Sequence, residues 1–294
     1  MLRPPPQSHP QALTIATSEI AGRSGRAPGS SLVDSVPAME TLLVDRSDGV
    51  VTVTMNRPER KNAATPTMWA ELRDVFTEVG HRAEDRVLVV TGAGGDFCSG
   101  ADLSGLNATD DPPLVAMRLV GSAALALHRC PKPTIAKVRG VAVGAGCNLA
   151  LGCDLIVASE DARFSEIFSR RGLSIDFGGS WVLPRLVGLH KAKELAFFAE
   201  IISAKEALDI GVVNRVVRES ELDTVVEEWA RRLASGPPLA LSMTKTLLNN
   251  GPSTSLDQAV EDEARCQAVN ISSADTAEAM MAFVEKREPR FQGR

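Results

Sequence analysis

Apolar positions along the chain follow two regimes, with the change at about residue 40. Before it, Pro4, Pro5, Pro6, Pro10, Pro28 and Pro37 stand among serines with little apolar periodicity. Such a stretch buries too little surface to offset chain entropy, which predicts a disordered N-terminal extension over 1–38 and a folded unit that begins at Met39. After it the runs are those of an α/β protein. Residues 50–55, 86–91, 133–138 and 154–158 are short, rich in Val, Ile and Thr, and read as strands. Thr65-Pro66 offers a cap and a first-turn proline to a helix that runs to about Val79, and another helix is predicted over 114–129. Glycine-rich turns follow two of the strands, at 92–95 and 140–146, the second leading into a helix. Past about residue 188 helical spacing takes over: Leu222, Val225, Val226, Trp229 and Leu233 share one face, and helices are expected near 238–249, 255–270 and 274–286. The pattern predicts a core of strand-turn-helix units over 39–188 and a helical C-terminal region over 189–294.

Composition removes several function classes. The formal net charge of −5 gives no electrostatic support for general nucleic-acid binding. No apolar run approaches the ~20 residues of a membrane helix. Cys98, Cys130, Cys147, Cys153 and Cys266 contain no CxxC pair and read as reduced thiols, which points to a cytoplasmic protein without a disulfide framework or zinc site. His9, His81, His128 and His190 are scattered singly, so no metal site is expected.

Chemistry is suggested instead by the two turn segments 94–103 and 140–148. Small residues let a ligand approach the main chain, and a helix start offers unpaired N–H groups to a negative atom. Two such donors on one oxygen would make an oxyanion hole. Neither segment is a nucleotide loop. Phe97 and Leu149 stand where the third glycine of GxGxxG should be, and the GK[ST] of a P-loop is absent from both.

Gly100-Ala101-Asp102, the run Gly144-Ala145-Gly146-Cys147-Asn148-Leu149-Ala150 and the segment from Gly178 to Gly188 resemble the crotonase (enoyl-CoA hydratase/isomerase) superfamily in order and spacing. Asn56-Arg57-Pro58 with Asn62-Ala63, the stretch 204–211 and the ending Phe283-Val284-Glu285-Lys286-Arg287 add to the likeness, which covers about 40–294. It implies a spiral of ββα units with a helical tail that assembles as homotrimers or dimers of trimers. It implies an acyl-CoA substrate, with coenzyme A as part of the substrate and no further cofactor. The N–H groups of Ala101 and Ala145 would hold the thioester oxygen. Coenzyme A would pass near Arg60, Ala63, Ser99, Asp102 and Leu103, and Phe283 and Lys286 would meet it from a neighbouring subunit.

Within the superfamily, hydratases use two glutamates to handle one water. Here Asn148 stands at the first position, and an amide cannot serve as a general base, though it can still hydrogen-bond a substrate or water and so is expected among the substrate-binding residues. An ungapped register puts Phe168 at the second, and a shifted one would put Glu166 there. Asp176 falls where several isomerases carry a catalytic aspartate, and its surroundings are most similar to the ring-opening 1,2-epoxyphenylacetyl-CoA isomerases. The resemblance thus implies a 2,3-double-bond isomerisation, with Asp176 carrying a proton between C2 and C4 in a pocket expected to include Phe168, Phe177 and Trp181. Hydration, thioester hydrolysis or displacement by Asp176, and acyl-CoA binding without catalysis are the alternatives. Asp176 could also simply cap the helix after Gly178. Acyl-chain preference would depend on 104–121, where Asp110-Asp111 and Pro112-Pro113 suggest a mobile loop.

Overall fold

The computed structural model describes residues 39–105 and 112–294. The expected extension over 1–38 and the acidic pair of the expected loop lie outside the described residues. Among the described residues, nine strands lie in two sheets. The main sheet comprises β1 (Leu42–Ser47), β2 (Val50–Met55), β3 (Val87–Gly92), β4 (Thr134–Val138), β6 (Leu155–Ser159) and β9 (Arg215–Val217), in that spatial order. β1 is antiparallel to β2, and every later pairing is parallel. A second sheet holds β5 (Val141–Val143), β7 (Arg163–Ser165) and β8 (Ile202–Ser203). Parallel bridges at Ala64 with Ala101 and at Cys98 with Ala142 extend this second layer back along the chain. Successive passes of the chain therefore place one segment in each layer, and α1 (Pro66–His81), α2 (Pro113–Arg129) and α3 (Ala145–Leu151) follow three of them. This is the ββα spiral expected from the sequence.

The strands are apolar on both faces because both faces of the main sheet are covered. Leu88 and Val90 pack into the large core with Met68, Leu72, Phe76 and Leu127. Val87 and Val89 pack the other way, with Ile135, Val157, Leu222 and Val226, under α7 (Glu219–Ala234). The helix expected from the Leu222 periodicity thus closes the back of the sheet. β9 also belongs to that sheet, so the main layer draws a strand from beyond residue 188. β5, β7, β8 and β9 are two or three residues long. None is long enough to display a period-2 pattern, so periodicity along the chain does not reveal them.

α4 (Gly179–Val187), α5 (Leu189–Phe198) and α6 (Ala204–Asp209) lead to α7, and α8 (Pro238–Asn250), α9 (Leu256–Ile271) and α10 (Ala274–Glu285) end the chain. α8 and α9 bury no residue fully within the chain. Leu248, Leu256, Ile271, Phe283 and Val284 are all exposed. No described helix is long and apolar enough to cross a membrane.

Candidate active site

Two turns converge at the end of the second layer. Cys98 N–H donates to the Val141 carbonyl at 2.9 Å and Val143 N–H donates to the Cys98 carbonyl at 3.0 Å, which zips the two turns together. Just beyond this zip, each chain makes a turn on a glycine of positive φ, Gly100 at 100° and Gly144 at 57°. L-residues rarely adopt that conformation. The residue after each glycine is one of the two expected oxyanion donors. Ala101 sits in a parallel bridge whose bonds run from Ala64 N–H to the Gly100 carbonyl and from Asp102 N–H to the Ala64 carbonyl. That pattern turns the N–H of Ala101 away from Ala64. Ala145 opens α3, so its N–H has no intrahelical acceptor. Among the described residues neither N–H has a hydrogen-bond partner. The two turns are close, since a Cβ built on Gly100 would stand 3.7 Å from Ala145 N.

One helical turn after Ala145, the Asn148 side chain is fully buried and organises the remaining groups. Its amide donates to the main-chain carbonyl of Asp176 at 3.0 Å and to a carboxylate oxygen of Glu166 at 3.3 Å. Asp176 thereby reaches the first turn of α3. Its side chain does not cap α4, whose cap position is Gly178 with no side-chain bond. Burial raises the Asp176 carboxyl to about 6. Among the described residues, the buried side-chain atoms without a protein partner are one oxygen each of Asn148, Glu166 and Asp176. Buried polar groups are normally paired, and unpaired ones gathered at one place mark a site.

Gly179 closes the arrangement from above. A methyl there would overlap the Asn148 amide. Gly179→Ala is therefore expected to lower stability by about 1–3 kcal/mol and to shift Asn148 and the Asp176 loop. Thermal denaturation together with turnover of the variant checks this, and an unchanged midpoint with full turnover would contradict it.

Ile167 and Phe168 lie against Gly144, their side chains 3.3 and 3.8 Å from where its Cβ would be. Phe168 thus borders the second turn, while Glu166 lies behind Asn148 in the interior, 3% exposed. In sequence register Phe168 takes the glutamate position, yet it is Glu166 that is hydrogen-bonded to Asn148. Trp181 departs from its expected place. Its ring packs edge-on to His128 at 5.1 Å, with the Arg185 guanidinium 3.9 Å from the ring centre, on a different face of α4. Two residues into a helix the chain has turned by about 200°, so Trp181 cannot share the side on which Gly179 meets Asn148. Phe177 packs on Trp69 in the core at 5.2 Å between ring centres.

The residues expected along coenzyme A also gather. Ser99 Oγ donates to the Arg60 carbonyl at 3.2 Å, and Ala63 N–H donates to the same carbonyl at 3.0 Å. Leu103 is exposed next to Asp102. The Asp102 carboxylate is already engaged: it accepts from Ser104 Oγ at 2.6 Å and from Arg57 at 2.9 Å. These bonds from Ser104 and Arg57 hold it near 2. Arg57 also donates to the Ala63 carbonyl and so clamps the 57–64 loop to the Ala101 turn. Arg57 stands within a matching motif, but nothing local in the sequence identifies a partner 45 residues away. Phe283 and Lys286 lie at the end of α10, both exposed.

Comparison with known proteins agrees with this architecture. The family described as enoyl-CoA hydratase/isomerase matches residues 45–294. The 1,2-epoxyphenylacetyl-CoA isomerase of Escherichia coli (strain K12) is 38% identical over 261 residues, 87% of this chain and 100% of that protein. The short-chain-enoyl-CoA hydratase of Clostridium acetobutylicum is 35% identical over 252 residues, 85% of this chain and 97% of that one. The crystal structure of an enoyl-CoA hydratase from Bacillus anthracis superposes with a TM-score of 0.84 at 31% identity, covering 87% of this chain and 100% of that chain.

Proposed function

The chain belongs to the enoyl-CoA hydratase/isomerase family, and from that premise we propose that it is an isomerase that moves a double bond between the 3- and 2-positions of an acyl-CoA. The observation that carries this reading is the unpaired carboxyl of Asp176, held through Asn148 to the helix whose first N–H is also unpaired. A thioester acidifies its C2–H only if charge can build on the carbonyl oxygen. The N–H groups of Ala101 and Ala145 supply the donors, a stabilisation of which one donor typically contributes ~2.7–4 kcal/mol. Asp176 takes the C2 proton, the electron pair spreads into a dienolate, and the same carboxylic acid returns the proton at C4. Near pH 7 the carboxyl is mostly ionised and close enough to neutrality to carry a proton both ways. No metal or further cofactor enters this scheme.

In this reading coenzyme A runs past Arg60, Ala63, Ser99, Asp102 and Leu103. Since Arg57 and Ser104 already occupy the Asp102 carboxylate, Asp102 shapes this edge through its turn and has no free acid to offer. The exposed apolar residues of α8–α10 are covered by copies of the chain in a homotrimer or dimer of trimers, which brings Phe283 and Lys286 to a neighbour's coenzyme.

Hydration is the second reading, favoured by the position of Glu166 beside Asn148. A panel of 2-enoyl, 3-enoyl and ring-containing CoA thioesters separates the two, with products identified by mass and proton NMR. Isomerisation is expected to turn a 3-enoyl-CoA into its 2-enoyl isomer at unchanged mass. Gain of one water's mass from crotonyl-CoA, with loss of the conjugated absorbance, would favour hydration instead. Binding of every thioester with conversion of none would leave a binding protein.

A further inference from the structure

Glu166 has no part in the mechanism above, yet its surroundings are unusual for a carboxyl. One oxygen accepts the Asn148 amide and the other has no protein partner. Glu166 lines a small interior cavity together with Leu151, Phe164, Leu183, Leu195 and Ile202. Among the described residues, the titratable groups that face it are the Cys147 thiol from α3, Asp176 from the loop before α4, and Glu200 from the turn after α5. No Lys, Arg or His is among them.

The three unpartnered oxygens of Asn148, Glu166 and Asp176 are all acceptors. An ionised carboxylate only accepts, whereas a protonated one donates. Two neighbouring carboxyls without a cation cannot both ionise cheaply in a buried setting, so the cluster is satisfied best by retaining a proton. Glu166 is buried and Asp176 only partly so, which places the proton on Glu166.

We propose that the active form of the protein is the one in which Glu166 carries a proton, and that Glu166 acts as a positioning residue: as a neutral acid it anchors the Asn148 amide, which holds the main chain of Asp176, and it leaves Asp176 as the single charge of the cluster. The role deepens the assignment of Asp176 as the base and rests on it. Burial, followed by the nearby Asp176 charge, raises Glu166 to about 7, against the lowering effect of the Asn148 amide and the neighbouring Cys147 thiol. The sign follows. Below that pH Glu166 is neutral and the site holds one negative charge. As pH rises through it, a second negative charge appears beside Asp176 and opposes formation of the enolate.

The test combines a titration with kinetics on the full-length chain. The carbon-13 carboxyl resonance of Glu166, assigned by its loss in Glu166→Gln or Glu166→Asp, is expected to titrate near 7 and to shift to lower pH in Asp176→Asn. Glu166→Ala is expected to lose about 10–100-fold in kcat with KM little changed, as a misplaced base would. Glu166→Gln, neutral and of the same shape, should restore kcat at pH 6.5 to within about twofold. It should also abolish the alkaline fall, which in the unsubstituted protein approaches about tenfold per pH unit. A Glu166 resonance already ionised at pH 5 overturns the proposal. So does a folded Glu166→Gln enzyme that loses turnover at every pH, which would make Glu166 a proton carrier, or one that keeps the alkaline fall. Should Asp176→Asn retain full turnover, the assignment of the base fails, while the resonance still decides separately whether the two carboxyls are coupled.

Discussion

Asp176→Asn is expected to slow the isomerisation of a 3-enoyl-CoA by about 10²–10⁴-fold, the usual contribution of a positioned acid-base group. Asparagine has the same shape, and the main-chain carbonyl at 176 would still accept from the Asn148 amide and from Gly179 N–H. The loop should therefore stay in place and acyl-CoA binding should change by no more than a few-fold. What disappears is the group that exchanges a proton. The pH dependence carries a second mark. Burial raises the Asp176 carboxyl to about 6. A base must be deprotonated to act, so activity on the acid side should rise as pH rises through that value, and the residual activity of Asp176→Asn should lack this rise. Initial rates from pH 5 to 7 on both proteins measure it. Full turnover in the variant would remove Asp176 from the mechanism.

Gly146→Ala should be almost as damaging without touching any polar group. A methyl at 146 would overlap the Cys98 carbonyl oxygen and stand 2.8 Å from Cys98 Cβ. Both neighbours belong to the segment zipped to Val141 and Val143, so neither can yield without separating the turns that carry Ala101 and Ala145. Loss of alignment of one N–H corresponds to ~10²–10³ in kcat. Overpacking at such a contact typically costs about 1–3 kcal/mol of stability. Gly121→Ala in α2 is the natural control, since nothing lies within 4 Å of a methyl there and the backbone is helical. It should leave kcat unchanged and raise stability slightly, by about 0.5–1 kcal/mol. Thermal midpoints and kcat for the pair distinguish a local steric effect from a general intolerance of added methyls. Equal kcat in Gly146→Ala and the unsubstituted protein would show that the Ala101 and Ala145 amides are not the oxyanion donors.

Much of the frame is legible from local chemistry. β3 could be read because it is a run of five Val, Leu and Thr residues buried on both faces. α1 could be read because Thr65 caps it, Pro66 opens it and its apolar residues recur at helical spacing. The two glycine turns and the absence of an acid at 148 are visible in the letters alone. Trp181 lies against His128 and Arg185 and not in the expected pocket, because adjacency in sequence to Gly179 says nothing about which side of a helix a ring takes. The short strands β5, β7 and β8 are not legible in the sequence because two or three residues cannot show alternation. They exist because the second layer offers them partners.

The sequence by itself determined the residue types available to the site: two Gly-Ala steps that can free a main-chain N–H, an amide in place of an acid, and a lone aspartate ahead of a glycine-started helix. Only the tertiary structure decided which of these meet. Arg57 is paired with Asp102, and Glu166 rather than Phe168 is joined to Asn148. The reason is physical. Stacked passes of the spiral bring together residues far apart in the chain, and whether a buried carboxyl is charged depends on which groups surround it after folding.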